Sequence, residues 1–513
     1  MAHQKQFVVG PLAVRVGPEW EILQLANGLV LSFCPKLRVS RLRSRDGLEY
    51  VLLGLAVLAD MPHSTVEQTF ASRHSSEIEE WTGFWAGKWA LISAERCWQD
   101  AAGLLGLYYR RTADAVWISS SPAIVGDYLP NVAPAPRLPW KIAHEKGMDW
   151  IPAPLTTREN VFKLLALRTI APRSGEIRPV RFSATRNKIR DVRVLPSTLQ
   201  TLMGNWGSMG FRQCAVGLTA GFDTRTVLAA AKAADVRFEA FTDVYPRLAR
   251  ADRELPPRLA GSVGVVHRFH DEPELCADEA RARQATIMAH MDRAVFHPTA
   301  TMCASGRADH MHDAGLTIAS GHGFEIGRCA HWARFFRSGL SERMPTPGHL
   351  LRSFFHARPN PPSLWIEAMT AWQHSLSDPI PLDLDWRDRF YLEQRFGAWA
   401  STVQRTLDVL DGNFFYPANC LWIGHLLLQY SPRERRHGFA QRSAIQVLAP
   451  PLTGLPFNPE PVRTRLRKRL RMAYVVTKHT LLMMPNQNPF KPPSGNETAS
   501  TELTATFLQR PKA

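Results

Sequence analysis

Two clusters of small and acidic residues in this chain could do chemistry together. The first is Val216-Gly217-Leu218-Thr219-Ala220-Gly221-Phe222-Asp223-Thr224-Arg225. An apolar run from Cys214 to Leu218 reads as a buried strand that stops at a turn of small residues. An alanine-rich helix follows, from Thr224 to about Ala234. Strand, tight turn and helix N-terminus together make an anion cradle, because backbone N–H groups point outward there and the helix dipole favours negative charge. Asp223 at such a mouth is unfavourable beside a phosphate unless a cation lies between them, which suggests Mg²⁺. The plainer alternative is an ordinary turn whose Asp or Thr caps the helix. The second cluster, Ser320-Gly321-His322-Gly323-Phe324-Glu325-Ile326-Gly327, leaves a predicted strand through glycines as the first does. Beside it, Arg328 has the geometry to reach a phosphate or a carboxylate through two N–H groups.

The elements that must position these clusters begin near residue 196, where strands and helices start to alternate. Arg237–Thr242, Val265–His270 and Leu316–Ser320 read as strands, and Asp252–Ser262 as a helix. Strands spaced by helices predict a parallel sheet with helices on both faces. Ligands of such sheets bind at the carboxyl ends of the strands, where both clusters fall. Earlier in the chain the pattern is β-rich: Gly28–Phe33, Leu48–Leu53, Gly87–Ile92 and Ala113–Ser119 are separated by polar and glycine-containing turns. A linker from Pro130 to Pro154 holds six prolines and no clear periodicity.

The first cluster resembles the pyrophosphate loop S-G-G-x-D-S of the ATP pyrophosphatases. Thr219 and Thr224 stand at its two hydroxyl positions and Ala220 at its first glycine. Leu218 and Arg225 narrow the resemblance to asparagine synthetase-like proteins, in which L-[ST]-[GA]-G-[YF]-D-[ST]-R is a common form. The second cluster is similar to that family's S-G-E-G-A-D-E: Gly321 and Gly323 match, Glu325 falls on the metal-binding Asp, and His322 replaces the Glu. Further landmarks run in the family's order. These are Trp81–Ile92, Asp100–Gly103, Leu107-Tyr108-Tyr109 and Ser119–Pro122 in the first half, then Asp252, the stripe Asp388, Tyr391, Arg395 and Trp399, Phe415-Tyr416-Pro417 and Pro451–Pro459.

The resemblance implies a glutaminase-like, Ntn-hydrolase-type α+β sandwich at 1–190. It is followed by a doubly wound α/β ATP-pyrophosphatase domain at 196–460 and a basic, then disordered, tail at 461–513. The implied chemistry is activation of a small-molecule or peptide carboxylate as its acyl-adenylate and transfer to ammonia or an amine. ATP would be held by residues 218–224, Phe241, Gly321 and Gly323. Mg²⁺ would lie between Asp223 and Glu325, and His322 would stand among the catalytic residues. Glutaminases of this kind use an N-terminal Cys, and position 2 here is Ala, so the first domain is expected to be structural. A non-catalytic scaffold and a lasso-peptide or β-lactam-type cyclase are the alternatives. Asp252 is open between a helix N-cap and a family position. An Asp–Arg pair on a packed helix is the plain reading of the Asp388 stripe. No counterpart of the family's pyrophosphate Lys is identifiable, and Arg433, Arg435 and Arg436 lie in its general area.

Bulk properties fit a globular chain of 513 residues with 45% apolar and 21% charged residues, long enough for two or three domains. Seven scattered cysteines without a CxxC suit a reduced cytoplasm. The N-terminus has no signal-peptide pattern, and no apolar run is long enough for a membrane span. The net charge is +16, and residues 461–513 carry ten Lys/Arg against two Asp/Glu. Half of the excess therefore lies in the tail, and no nucleic-acid partner is expected. Arg463–Arg471 could begin a basic amphipathic helix that touches an anionic membrane surface or docks on the protein itself. The spacing of His310 and His312 favours solvent-facing histidines over a metal site.

Overall fold

The computed structural model describes residues 3–138, 150–183, 191–245, 248–270, 275–292, 298–330, 344–354 and 361–459, with the single positions 189, 332 and 470. Ala2 and, apart from Leu470, the tail at 461–513 lie outside them.

In the first part, short alternating segments pair into two antiparallel sheets. The strands are β1 (Phe7–Gly10), β2 (Glu21–Gln24), β3 (Val30–Phe33), β4 (Val39–Arg43), β5 (Glu49–Leu58), β6 (Trp85–Ser93), β7 (Cys97–Gln99), β8 (Tyr108–Arg111), β9 (Val116–Ser119), β10 (Val161–Lys163), β11 (Arg168–Ile170) and β12 (Ile177–Pro179). One sheet runs β10-β8-β9-β1-β3-β2 and the other β12-β11-β7-β6-β5-β4. Residues of both sheets share one core. Phe7 and Val9 pack there with Leu53, Ile92 and Ile170, while Val8 faces the other way, against Trp117. This is the alternation a two-residue side-chain period requires. Apolar burial across the shared face holds the two sheets together.

The second part carries β13 (Gln213–Gly217), β14 (Phe238–Asp243), β15 (His267–His270), β16 (Leu316–Ala319) and β17 (Asn413–Phe415). They form one sheet in the order β15-β14-β13-β16-β17, and every pairing is parallel. Helices cover both faces. Cys214 and Val216 of β13 pack with Leu199, Trp206 and Val227, and Ala215 packs on the opposite side with Ile287 and Met291. A strand buried on both faces explains why this stretch reads as continuously apolar rather than alternating.

The two parts are joined by polar contacts as well as by a common core. Asn419 donates to the Gly87 carbonyl at 2.6 Å and to Asp100 Oδ1 at 2.6 Å, and accepts from the Ala102 N–H at 2.9 Å. Lys88 pairs with Asp408. His290 is fully buried; it accepts from the His3 N–H at 3.0 Å through Nδ1 and meets the Arg405 carbonyl at 2.9 Å through Nε2. No helix among the described residues is long and apolar enough to cross a membrane.

Candidate functional site

The strand order of the parallel sheet reverses at β13, whose neighbours are β14 on one side and β16 on the other. The loops leaving β13 and β16 meet there at the carboxyl ends of the strands, the crevice in which such sheets usually bind ligands. The pairing Ala215↔Ile318 and Val216↔Ala319 brings both strands to the same level. Both sequence clusters therefore meet at one place.

After β13 the chain turns through Leu218–Gly221 into the helix Phe222–Ala233. Leu218 is buried; its N–H bonds to the Phe241 carbonyl at 2.7 Å and its carbonyl accepts from Thr242 Oγ1 at 2.7 Å. Thr219, exposed at the mouth, faces Thr224: their hydroxyl oxygens are 2.9 Å apart, and the Thr219 N–H bonds to Thr224 Oγ1 at 3.1 Å. Gly221 is the residue that precedes the helix, with extended backbone and no side-chain cap. The sequence alternative of a capping Asp or Thr is thus not what forms, and the first N–H groups of the helix have no intrahelical acceptor.

The second loop lies directly on the first. A Cβ added to Gly321 would stand 2.7 Å from the Thr224 N and 2.8 Å from the Asp223 carbonyl carbon. Gly323 has φ +100°, in the left-handed region, which glycine adopts without strain. Its N–H bonds to Glu325 Oε2 at 2.7 Å. The same oxygen accepts the Tyr391 hydroxyl at 2.9 Å. His322 is exposed, and its Nδ1 is 2.7 Å from Ser320 Oγ. Arg328, at the end of the turn Phe324–Arg328, donates from Nε to Asp223 Oδ1 at 2.9 Å and from Nη2 to Oδ2.

The two carboxylates feel each other and divide the charge. Burial and the neighbouring Glu325 push the Asp223 carboxyl up, against the pull of Arg328. Burial also acts to raise Glu325, but His322, a backbone N–H, Tyr391 and Arg328 outweigh it and hold that carboxyl below its ordinary range. Glu325 is thus the member of the pair that stays ionised more readily. A Mg²⁺ ion at the expected position between Asp223 and Glu325 would share Asp223 with the Arg328 guanidinium. Both oxygens of Asp223 are engaged by Arg328 and one oxygen of Glu325 accepts two hydrogen bonds. Among the described residues no group of three or more His, Cys, Asp or Glu is placed to hold a metal ion.

Three further side chains shape the crevice. Asp252 lies within the first turn of the helix Arg250–Ser262, whose N-cap is Ala249, so it is not the cap. Its Oδ1 instead accepts the Ala220 N–H at 2.8 Å and fixes the turn. Arg225 is fully buried and donates to the carbonyls of Leu452, Leu455, Ala220 and Pro456 at 3.0, 2.8, 3.1 and 2.8 Å. Those bonds, with Asn458 N–H to the Ala220 carbonyl at 3.1 Å, seat residues 452–458 against the loop. Arg435 makes a buried bidentate pair with Asp388 at 2.9 and 2.7 Å and also donates to the Ile326 carbonyl.

Sequence reasoning found both loops and placed Arg328 near an anion or a carboxylate. It did not single out Arg435 from its neighbours, nor foresee the Arg225 clamp. The only sequence signal for the latter is an Arg in the first turn of an otherwise alanine-rich helix. The stripe of Asp388, Tyr391, Arg395 and Trp399 is redistributed. The segment Tyr391–Ala400 winds as a π-helix rather than an α-helix. Asp388 finds its Arg in Arg435, while Arg395 packs over Trp150 and Trp399. Phe241 is buried beside the crevice, edge-on to the stacked imidazoles of His270 and His310. Phe222 stacks on Phe457 at 4.4 Å with the Arg442 guanidinium near both rings. No family model matches the chain, and no curated protein matches it.

Proposed function

We propose that the crevice binds ATP through its phosphates and that the protein is an ATP-dependent amide-forming ligase of the asparagine synthetase type. The carboxylate of a small molecule or peptide attacks the α-phosphorus and pyrophosphate leaves. Ammonia or an amine then attacks the acyl carbon of the mixed anhydride and AMP leaves. A carboxylate is a poor electrophile, and the adenylate supplies the leaving group it lacks.

In this reading the N–H groups opening the helix Phe222–Ala233 and the hydroxyls of Thr219 and Thr224 hold the phosphate oxygens. Asp252 and Arg225 keep the loop in shape. Mg²⁺ belongs to this reading as the ion that accompanies the nucleotide's phosphates, not as a ligand of Asp223. A cytoplasmic location belongs to the same proposal. The observation that carries it is the seating of Gly321 on Asp223 and Thr224 where the strand order reverses. Two glycine-acid loops that are distant in sequence form one mouth there.

One observation favours a second reading, a scaffold without turnover: Arg328 holds both oxygens of the acid at the mouth. ATP–pyrophosphate exchange with a panel of carboxylates separates the two. The ligase reading expects exchange that falls on the order of a hundredfold or more in Thr224→Val, the scale seen when a preorganised polar group is removed. No exchange with any carboxylate, and no ATP binding that Thr224→Val alters, would leave the scaffold.

A further inference from the structure

We infer that Arg328 is the resident cation of the Asp223–Glu325 acid pair and keeps a divalent metal ion off Asp223. An acid at the mouth of an anion cradle needs a positive charge beside it, and in this chain the charge is covalently attached.

The geometry is that of a filled position. Arg328 presents Nε and Nη2 to the two oxygens of Asp223, a planar fork matched to a carboxylate. Both side chains are mostly buried, at 21% and 15% exposed, so the pair is poorly screened by water. Arg328 also lies close enough to Glu325 to draw its carboxyl down. One guanidinium therefore serves both acids. Glu325 is occupied independently, since its Oε2 accepts from the Gly323 N–H and the Tyr391 hydroxyl.

A metal ion on Asp223 would displace Arg328 or lie beside it. The guanidinium would then lose its carboxylate or share it with a second cation, and either is costly in a partly desolvated site. Local structure opposes that movement. Arg328 closes a 3₁₀ turn followed by Cys329 in the left-handed conformation, and its guanidinium stands 5.6 Å from the centre of the Phe222 ring. Asp223 uses two of the five N–H donors of a guanidinium, which leaves three that do not face it.

The test is a Mn²⁺ titration of the full chain without nucleotide, followed by the electron paramagnetic resonance signal of free Mn²⁺. Its outcome does not depend on whether the protein binds ATP or makes amides, so a failure of the ligase proposal leaves it intact. Wild type and Asp223→Asn are expected to give the same titration. Arg328→Met is expected to gain one Mn²⁺ site, which the double variant Arg328→Met/Asp223→Asn loses. A Mn²⁺ site in the wild type that Asp223→Asn abolishes would overturn the inference. So would a folded Arg328→Met protein that gains no site. If Arg328→Met does not fold, Arg328→Gln takes its place, and the comparison of wild type with Asp223→Asn still decides whether metal reaches Asp223.

Discussion

Gly321 rests on the backbone of Asp223 so closely that a methyl group on it would stand 2.8 Å from the Asp223 carbonyl carbon. The nearest atoms are backbone, which cannot rotate aside as a flexible side chain can. Gly321→Ala must therefore push the second loop off the first. A loss of about 1–3 kcal/mol in unfolding free energy is expected, the usual cost of overpacking. Any phosphate binding by the crevice should weaken with it. Urea unfolding together with a nucleotide titration checks both. A variant with unchanged stability would show that the two loops are not in contact.

Arg435 joins three separate segments: the carboxylate of Asp388, the carbonyl of Ile326 and its own short helix Pro432–Arg436. Burial pushes the Asp388 carboxyl up, although Arg435 and Trp332 pull the other way. Arg435→Met leaves this carboxylate buried without its cation. The expected cost is about 3–5 kcal/mol, the range for breaking one side of a buried pair. Adding Asp388→Leu should restore part of the loss, because the uncompensated charge goes with it. Chemical denaturation of the wild type, both single variants and the double variant measures the coupling.

His290 makes folding depend on pH. Burial, then the nearby His3 and Arg405, hold its pKa well below the ordinary 6.5, so the folded protein keeps it neutral. The unfolded chain binds a proton there near pH 6.5 and the folded chain does not. Stability is therefore full above that pH and falls as the pH is lowered through it, by at most about 1.4 kcal/mol per pH unit for one proton. In His290→Gln the slope of unfolding free energy between about pH 6.5 and 5 should flatten by up to that amount. Equal slopes in the two proteins would show that His290 titrates alike folded and unfolded.

How much of this was legible in the sequence follows from the range of each interaction. The strand, turn and helix around Gly221 rest on neighbours in the chain. The run Cys214–Leu218 and the alanine-rich stretch after it placed them to within two residues of β13 and the helix Phe222–Ala233. The strand Leu316–Ser320 was found equally well, against an observed Leu316–Ala319. β5 runs on to Leu58 rather than stopping at Leu53, because pairing with β6 stabilises the added residues. Asp252 looked as much like a helix cap as a site residue; only the fold brings it to the Ala220 N–H. Arg435 and Arg225 were opaque for the same reason, since their acceptors lie far away in sequence. The π-helix at Tyr391–Ala400 has no local signature in the sequence.

The clamp made by Arg225 also has a consequence in time. Its guanidinium waits for the Pro456 carbonyl, which lies 231 residues downstream. At a synthesis rate of about 5–20 residues per second, that stretch takes on the order of ten to fifty seconds to emerge. Until then a cation destined for the interior lacks the carbonyls of residues 452–456. The mouth of the crevice is therefore completed long after the loop that defines it has been made.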